Sequence, residues 1–198
     1  MPRTSARTGT ARSAAATRRP AVFLDRDGTI IEDTGYLSSP DEVALRPGAA
    51  DAIARINAAG IPVIVISNQS GIGRGYYTEE EYDRVRAQVE ETLLSRSARI
   101  DATYICPHAP DHTPPCECRK PGTLLFQRAA DDLALDLARS WYIGDRWRDI
   151  APAETLGGHG ILVPSPRTPP DELARARERF EVVGTLEDAV SAVMSFGL

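Results

Sequence analysis

The class of this 198-residue chain is already limited by what it has little of. Its three cysteines, an odd number, cannot form a complete internal disulfide framework. Its longest apolar run, around Ile61–Ile66, has the length of a strand and is too short to span a bilayer. Basic residues are fewer than acidic ones, and the resulting net charge of −5 disfavours a nucleic-acid-binding surface. We therefore expect a cytoplasmic protein without nucleic-acid or membrane partners and, because no extra apolar surface helix stands out, a monomer.

Residues 1–19 contain no acidic side chain, five arginines and many Ser, Thr and Ala residues. A segment of this composition cannot bury a core, so we predict a disordered basic tail. A transit peptide has similar chemistry and is the alternative. Residues 20–198 suffice for one domain with a sizeable core.

From Ala21 onwards, short unbroken apolar runs alternate with helix-like stretches. This alternation predicts an α/β fold, a Rossmann-like three-layer sandwich with a mainly parallel sheet. No long insertion separates the strands, so we expect no large cap domain. The predicted strands are Ala21–Asp25, Ile61–Ser67, Ala102–Cys106, Trp141–Gly144, Gly160–Val163 and Phe180–Val183. The predicted helices are Gly48–Ala59, Glu79–Arg96, Gly122–Ala138, Ile150–Leu156 and Leu186–Met194, with a Thr78–Glu81 capping box opening the second.

Sheets of this kind bind ligands beyond the carboxyl ends of their strands, where the first strand is followed by Asp25 and Asp27. Residues two apart on an extended segment face the same way, so both acids can share a site while Arg26 points elsewhere. Two close carboxylates favour a cation, and Mg²⁺ would also bind phosphate oxygens. Asp25 could then attack phosphorus, while Asp27 protonates the leaving oxygen and later activates water. Taken alone, the segment could equally be a solvated turn or a calcium loop.

Three later segments add matching chemistry. The Ser67 hydroxyl, after the second strand, could hydrogen-bond a phosphoryl oxygen, and Lys120, before a helix, could neutralise its charge. Asp145 follows the fourth strand, where a third acidic metal ligand is needed, and Asp149 could orient that ligand or cap a helix. Singly, each has an ordinary explanation as a polar turn or a solvated surface. Their order along the chain, each after its own strand, points to phosphoryl transfer.

A second metal site is predicted between the third strand and Lys120. Cys106, His108, Cys116 and Cys118 offer three thiolates and one imidazole, which is a familiar structural zinc arrangement. Three unrelated thiols and a surface histidine are the alternative. Because Cys118 lies two residues before Lys120, the metal would help to place that lysine.

These motifs together resemble those of a known group of enzymes. FLDRDGTI (23–30), ISNQSG (66–71), RKP (119–121) and IGDRWRD (143–149) resemble the haloacid dehalogenase superfamily of phosphohydrolases. DTGYL (33–37), NQSGIGRGYYTEEE (68–81) and CPH…CECRKPG (106–122) resemble its D-glycero-D-manno-heptose 1,7-bisphosphate 7-phosphatases. The likeness spans roughly residues 21–163. Residues 20–198 are therefore interpreted as one phosphatase domain.

The resemblance implies roles for individual residues. It implies Asp25 as nucleophile and Asp27 as acid and base, with magnesium held by Asp25, Asp145 and the main-chain carbonyl of Asp27. It implies that Ser67, a threonine in many relatives, and Lys120 stabilise the phosphoryl group. It also implies zinc in the cysteine-rich loop. The substrate contacts that it implies are Asp33, Thr34, Gly35, Tyr36, Asn68, Gln69, Ser70, Arg119 and Arg146, the last a lysine in some relatives.

The short loops predict an open site, which suits a substrate that carries a second phosphate. Arg74, Arg119 and Arg146 are candidates for gripping that phosphate, since guanidinium groups bind phosphates bidentately. A phosphorylated sugar, a heptose 1,7-bisphosphate of either anomer, is the favoured substrate, and histidinol phosphate is the alternative. A non-catalytic module whose zinc loop docks a partner is a third reading. The complete set of catalytic side chains argues against it.

Overall fold

The structure, a computed structural model, describes residues 18–109, 111 and 116–196. Residues 1–17 of the predicted basic tail lie outside the described residues. Arg18, which we placed in that tail, donates hydrogen bonds to the main-chain oxygens of Ala130 and Leu135, and Arg19 forms a β-bridge with Leu135. The start of the domain at residue 20 stays a prediction, and these two arginines contact the folded part.

Strands and helices alternate through the described part of the chain. The strands are β1 (Val22–Leu24), β2 (Val63–Asn68), β3 (Ala102–Cys106), β4 (Trp141–Gly144), β5 (His159–Leu162) and β6 (Glu181–Val182). The helices are α1 (Ala49–Ala58), α2 (Ser70–Gly73), α3 (Glu79–Leu94), α4 (Leu124–Leu133), α5 (Trp147–Ile150), α6 (Pro152–Leu156), α7 (Pro170–Arg179) and α8 (Leu186–Ser195). Short 3-10 turns lie at Pro40–Glu42 and Leu137–Arg139.

The six strands form one parallel sheet in the order β3-β2-β1-β4-β5-β6. The predicted α/β fold with a parallel sheet is therefore confirmed. β1 lies between β2 and β4, with Leu24 opposite Val65 and Ile143. Because the chain crosses from one side of β1 to the other after β3, the end of β1 is the point at which the strand order reverses. Ligands of such sheets bind at this point.

Alternate strand residues bury themselves in two separate cores, one on each face of the sheet. Val22 and Leu24 lie in the core that α1, α3 and α8 cover. Phe23 faces the other core, where it packs against Phe126 of α4 and Tyr142 of β4. Since both faces are covered by helices, the strands read as unbroken apolar runs, which made them predictable.

Five helices were predicted and the described residues form eight, because α2 and α7 were not predicted and the helix predicted over Ile150–Leu156 is divided between α5 and α6. The Thr78–Glu81 capping box at the start of α3 is confirmed. The helix predicted over Gly122–Ala138 is too long, because Ala134 adopts a left-handed conformation that ends α4 at Leu133. Helix α7 was not predicted, and Pro170 occupies its first turn, a position that suits proline. Within the described residues, no helix combines the length and the apolar character needed to cross a membrane.

Candidate active site

Asp25 and Lys120 form a buried ion pair beyond the carboxyl end of β1. The Lys120 Nζ lies 2.7 Å from Asp25 Oδ1 and also donates to the main-chain oxygen of Ile66 in β2. Asp25 is 5% exposed and Lys120 is 3% exposed. Burial raises the pKa of the Asp25 carboxyl to about 7, although Lys120 acts to lower it. The two residues that we predicted as nucleophile and phosphoryl stabiliser are thus in direct contact.

Asp149, in α5, forms a second ion pair with Lys120. Its Oδ1 lies 2.8 Å from Lys120 Nζ, and its Oδ2 accepts a hydrogen bond from the Arg146 N–H at the start of α5. Burial lowers the pKa of Lys120, but Asp149 and Asp25 outweigh that effect and raise it. We left open whether Asp149 caps a helix or serves the site. It does both.

Asp145 lies next to these residues at the end of β4. Its Oδ2 accepts a 2.6 Å hydrogen bond from Ser165 Oγ, and its buried Oδ1 has no hydrogen-bond partner within the described structure. Burial, aided by Asp149, raises the pKa of Asp145 to about 6. Gly28 allows the close approach: its φ is +84°, and a Cβ there would lie 2.5 Å from Asp145 Oδ2.

The carboxylates of Asp25, Asp145 and Asp149 offer oxygen atoms that all lie within 4.8 Å of one another. Three buried acids face one lysine, so the group has an excess of negative charge that a divalent cation would neutralise. The unpartnered Asp145 Oδ1 is an oxygen ligand of the kind that Mg²⁺ prefers. The residues therefore fit a magnesium ion, which would also favour the ionised form of Asp25 that a nucleophile requires.

The prediction that Arg26 points away from both aspartates is wrong for Asp27. The strand ends at Leu24, and the N–H groups of Ile30 and Ile31 donate to the Arg26 carbonyl, so the segment turns instead of continuing extended. The Arg26 Nη2 lies 2.9 Å from Asp27 Oδ1. The Asp27 carboxylate thus contacts Arg26, and ligation of magnesium by its main-chain carbonyl stays a prediction.

The residues at the end of β2 and just after it mainly contact other protein groups. Ser67 is 1% exposed, and its Oγ accepts a 2.7 Å hydrogen bond from Gln69 Nε2. Both ends of the Asn68 side-chain amide bind the main chain of Lys120, at 3.0 Å and 3.1 Å. We predicted Asn68, Gln69 and Ser70 as substrate contacts. In this structure Asn68 and Gln69 bind other protein groups, while Ser70 begins α2.

The predicted substrate loop at residues 33–36 is more accessible. Asp33 Oδ1 accepts a hydrogen bond from the Gly35 N–H, which closes a tight turn around Thr34. Tyr36 is 50% exposed and its ring packs edge-on against Tyr76, with 4.6 Å between ring centroids. The loop thus presents an exposed aromatic pair to solvent.

The three arginines that we predicted to grip a second phosphate have different surroundings. Arg74 pairs with Asp111, and Arg146 forms a bidentate pair with Glu172 of α7, at 2.7 Å and 2.9 Å. Arg119 donates to the main-chain oxygen of His108. Both carboxylate-paired arginines would have to exchange partners before they bind a phosphate.

Arg148 was not among the predicted site residues. Its Nε lies 3.8 Å from Asp149 Oδ1, and its charge contributes to a lowered pKa of Arg119, for which burial is the main cause. Part of that lowering of the pKa comes from repulsion between the Arg119 and Arg148 guanidinium groups, which a bound anion would relieve. Nothing in the sequence around α5 distinguishes Arg148 from an ordinary surface arginine.

The predicted zinc ligands come together. One ligand atom from each of Cys106, His108, Cys116 and Cys118 lies within 4.8 Å of the others. The sulfur atoms of Cys118 and Cys106 are 3.0 Å apart, and Cys106 Sγ lies 3.7 Å from His108 Nδ1. Tetrahedral zinc with bonds of about 2.3 Å places thiolates roughly 3.8 Å apart. The donor set and its spacing therefore fit zinc.

This cluster contacts the segment after β2 and leads into the segment that carries Lys120. Cys106 and Cys118 are buried in the core that α4 covers, and the Gln69 N–H donates a 2.8 Å hydrogen bond to the Cys106 carbonyl. Between Cys106 and Cys116, the structure describes only residues 107–109 and 111. A metal bound here would hold the segment that leads directly into Lys120.

Comparison with known proteins agrees with this architecture. A HAD-hydrolase-like family model matches residues 117–189. The chain is 37% identical over 163 residues to a D-glycero-beta-D-manno-heptose-1,7-bisphosphate 7-phosphatase of Escherichia coli O6:H1, covering 78% of this chain and 86% of that protein. It is 42% identical to the protein of that name from Mesorhizobium japonicum, covering 73% of this chain and 69% of that one.

A solved structure shows the same fold. The D,D-heptose 1,7-bisphosphate phosphatase of B. bronchiseptica, complexed with magnesium and phosphate, superposes with a TM-score of 0.80 at 30% identity, covering 90% of this chain and 99% of that one. The resemblance inferred from the motifs is thereby confirmed. The chain belongs to the haloacid dehalogenase superfamily of hydrolases, in the family of the heptose-1,7-bisphosphate 7-phosphatases.

Proposed function

We propose that this enzyme, a phosphoric monoester hydrolase, removes the C7 phosphate of D-glycero-D-manno-heptose 1,7-bisphosphate through a phosphorylated Asp25. The observation that carries the proposal is the buried contact between Asp25 and Lys120, with Asp145 and Asp149 beside it, at the switch point of the sheet. The names of the relatives at 37% and 42% identity supply the substrate.

Each step follows from the chemistry of these side chains. Asp25 attacks phosphorus, the bond between phosphorus and the C7 oxygen breaks, and Asp27 gives that oxygen a proton. Lys120 and the Ser67 hydroxyl stabilise the charge on the transferring group. A water molecule then attacks the phosphorylated Asp25 and passes a proton to Asp27, which restores the starting state. Bound magnesium would supply further positive charge to the phosphoryl oxygens.

The arginines near the site support the choice of a substrate with a second phosphate. Arg119, close to the positive charge of Arg148, is the side chain best suited to bind it, because an anion would relieve that repulsion. Arg74 and Arg146 would join only after leaving Asp111 and Glu172. The exposed ring of Tyr36 is available to cover the sugar.

A substrate comparison tests this choice. We expect kcat/KM for heptose 1,7-bisphosphate to exceed that for histidinol phosphate, and Arg119→Gln to lower it by about tenfold to 100-fold, the value of one or two charged hydrogen bonds. The same variant should change hydrolysis of p-nitrophenyl phosphate, which has no second phosphate, far less. Arg84→Gln, at an exposed arginine of α3, is the control. Faster turnover of histidinol phosphate than of either heptose anomer would reject the proposed substrate.

We propose that Asp25, Asp145 and the Asp27 carbonyl hold magnesium and that Ser165 orients Asp145 for it. Ser165→Ala removes the 2.6 Å hydrogen bond to Asp145 Oδ2, so we expect magnesium to bind roughly tenfold more weakly, as when other partners of metal ligands are lost. Calorimetric titration of metal-free protein with Mg²⁺ measures this without reference to activity. Ser195→Ala, at an exposed serine of α8, should bind magnesium like the parent. Unchanged affinity in Ser165→Ala would contradict the role of Ser165.

A further inference from the structure

Arg26 is a buried cation that the mechanism above does not use. It is 3% exposed, and its guanidinium faces the Asp27 carboxylate. Asp27 Oδ1 accepts hydrogen bonds from Nε at 3.1 Å and from Nη2 at 2.9 Å, while Oδ2 accepts from Nη2 at 3.0 Å. Gln69 Nε2 adds a further 2.9 Å hydrogen bond to Oδ2. The Asp27 carboxylate is therefore held in one orientation from two sides.

The groups that hold Asp27 are themselves fixed by neighbouring elements. Tyr77 OH donates a 2.6 Å hydrogen bond to Gln69 Oε1, which also accepts from Arg26 at 3.2 Å. The Arg26 guanidinium lies over the ring of Tyr82 in α3, 5.1 Å from its centroid. A continuous set of contacts thus runs from α3 to the carboxylate.

This arrangement suits one of the two tasks assigned to Asp27. Both carboxylate oxygens face N–H donors of Arg26 and Gln69, so the geometry presents them as acceptors, which is what the hydrolysis step requires. Nη2 shares its two hydrogen atoms among three acceptors within 3.2 Å, each of which also accepts a hydrogen bond from a second donor. The Asp27 side chain is also 21% exposed, against 4% for Arg26, which leaves it open to a water molecule.

Building on the proposed function, we propose that Arg26 is a positioning residue for Asp27 in the second half of the reaction, the hydrolysis of phosphorylated Asp25. In that step the oxygen of water bonds to phosphorus, the bond between phosphorus and Asp25 breaks, and one water proton moves to Asp27. Arg26, with Gln69 and Tyr77 behind it, holds the accepting carboxylate where that proton arrives.

The kinetics of Arg26→Gln with p-nitrophenyl phosphate test this role. The p-nitrophenolate group leaves without needing a proton, so the first half of the reaction does not depend on Asp27 as an acid. We expect kcat to fall by about tenfold and KM to fall with it, so that kcat/KM stays nearly unchanged. Phosphorylated Asp25 should accumulate and be visible in the intact mass after acid quenching. Arg26→Lys, which keeps the charge but not the fork of donors, should show a smaller change of the same kind.

Two further variants keep the test decisive. Tyr77→Phe removes the hydrogen bond to Gln69 Oε1 and should cause the same accumulation of phosphorylated enzyme to a lesser degree. If circular dichroism shows that Arg26→Gln is unfolded, Tyr77→Phe and Arg26→Lys together test the role of Arg26. Arg84→Gln should behave like the parent. Parallel falls in kcat and kcat/KM, with no phosphorylated enzyme, would overturn the role of Arg26. A parent enzyme that never carries phosphate on Asp25 would instead reject the proposed function.

Discussion

Asp25→Asn is expected to lower phosphate release from heptose 1,7-bisphosphate by at least roughly 10⁴-fold, as is typical when a covalent nucleophile is removed. An amide of the same shape cannot form the acyl phosphate. Lys120 would keep its ion pair with Asp149 at 2.8 Å, so we expect the protein to remain folded. Steady-state phosphate release, together with thermal unfolding, separates loss of chemistry from loss of structure.

The matched control is Asp51→Asn, at an exposed carboxylate of α1, which should leave turnover unchanged. Intact-mass analysis during turnover should find a phosphoryl group on the parent and on the control but not on Asp25→Asn. Phosphate release by Asp25→Asn at the rate of the parent would show that another group attacks phosphorus. The proposed mechanism would then be wrong at its first step.

Cys118→Ser is expected to lose bound zinc and most activity, with kcat/KM lower by roughly 10-fold to 100-fold, as when partners of metal sites are altered. The variant removes one of four ligand atoms that lie within 4.8 Å of one another. Without the metal, the segment before Lys120 would lose its main restraint, because Cys118 is only two residues away. Metal analysis by mass spectrometry and kinetics on the same preparation measure both effects.

Glu117→Gln is the control for that variant, since this exposed side chain lies between Cys116 and Cys118 without belonging to the ligand set. It should keep one zinc ion per chain and full activity. Full activity in Cys118→Ser that contains no zinc would contradict a structural role for the metal. Activity that returns when zinc is added to metal-depleted parent enzyme would support that role.

The parts of the site that could be predicted from the sequence are those that depend on strand ends. Asp25 and Asp145 each follow a strand and Ser67 lies near the end of one, and a parallel sheet brings the ends of adjacent strands together whatever the details of the helices. The contact between Asp25 and Lys120, 95 residues apart in the chain, follows from this rule and from the position of Lys120 before α4.

The parts that could not be predicted depend on side chains whose direction the strand pattern does not set. Arg26 was assigned to the opposite face because the strand was expected to continue to Asp25, whereas the chain turns there. The pairing of Arg146 with Glu172 requires α7, which was not predicted. Ser165 contacts Asp145 across 20 residues, from a segment that carried none of the motifs. In each case the missing information was a tertiary contact rather than a propensity.

The central place of β1 has a consequence for how the enzyme comes into being. As the chain is synthesised, β1, β2 and β3 can associate first and bring Asp25 and Lys120 together, yet Asp145 and Asp149 arrive only when β4 pairs with the free side of β1. A nascent chain that stops before β4 would therefore hold half of the charges and would have no means of catalysis. Hydrolysis thus begins only once both halves of the polypeptide have met along a single three-residue strand.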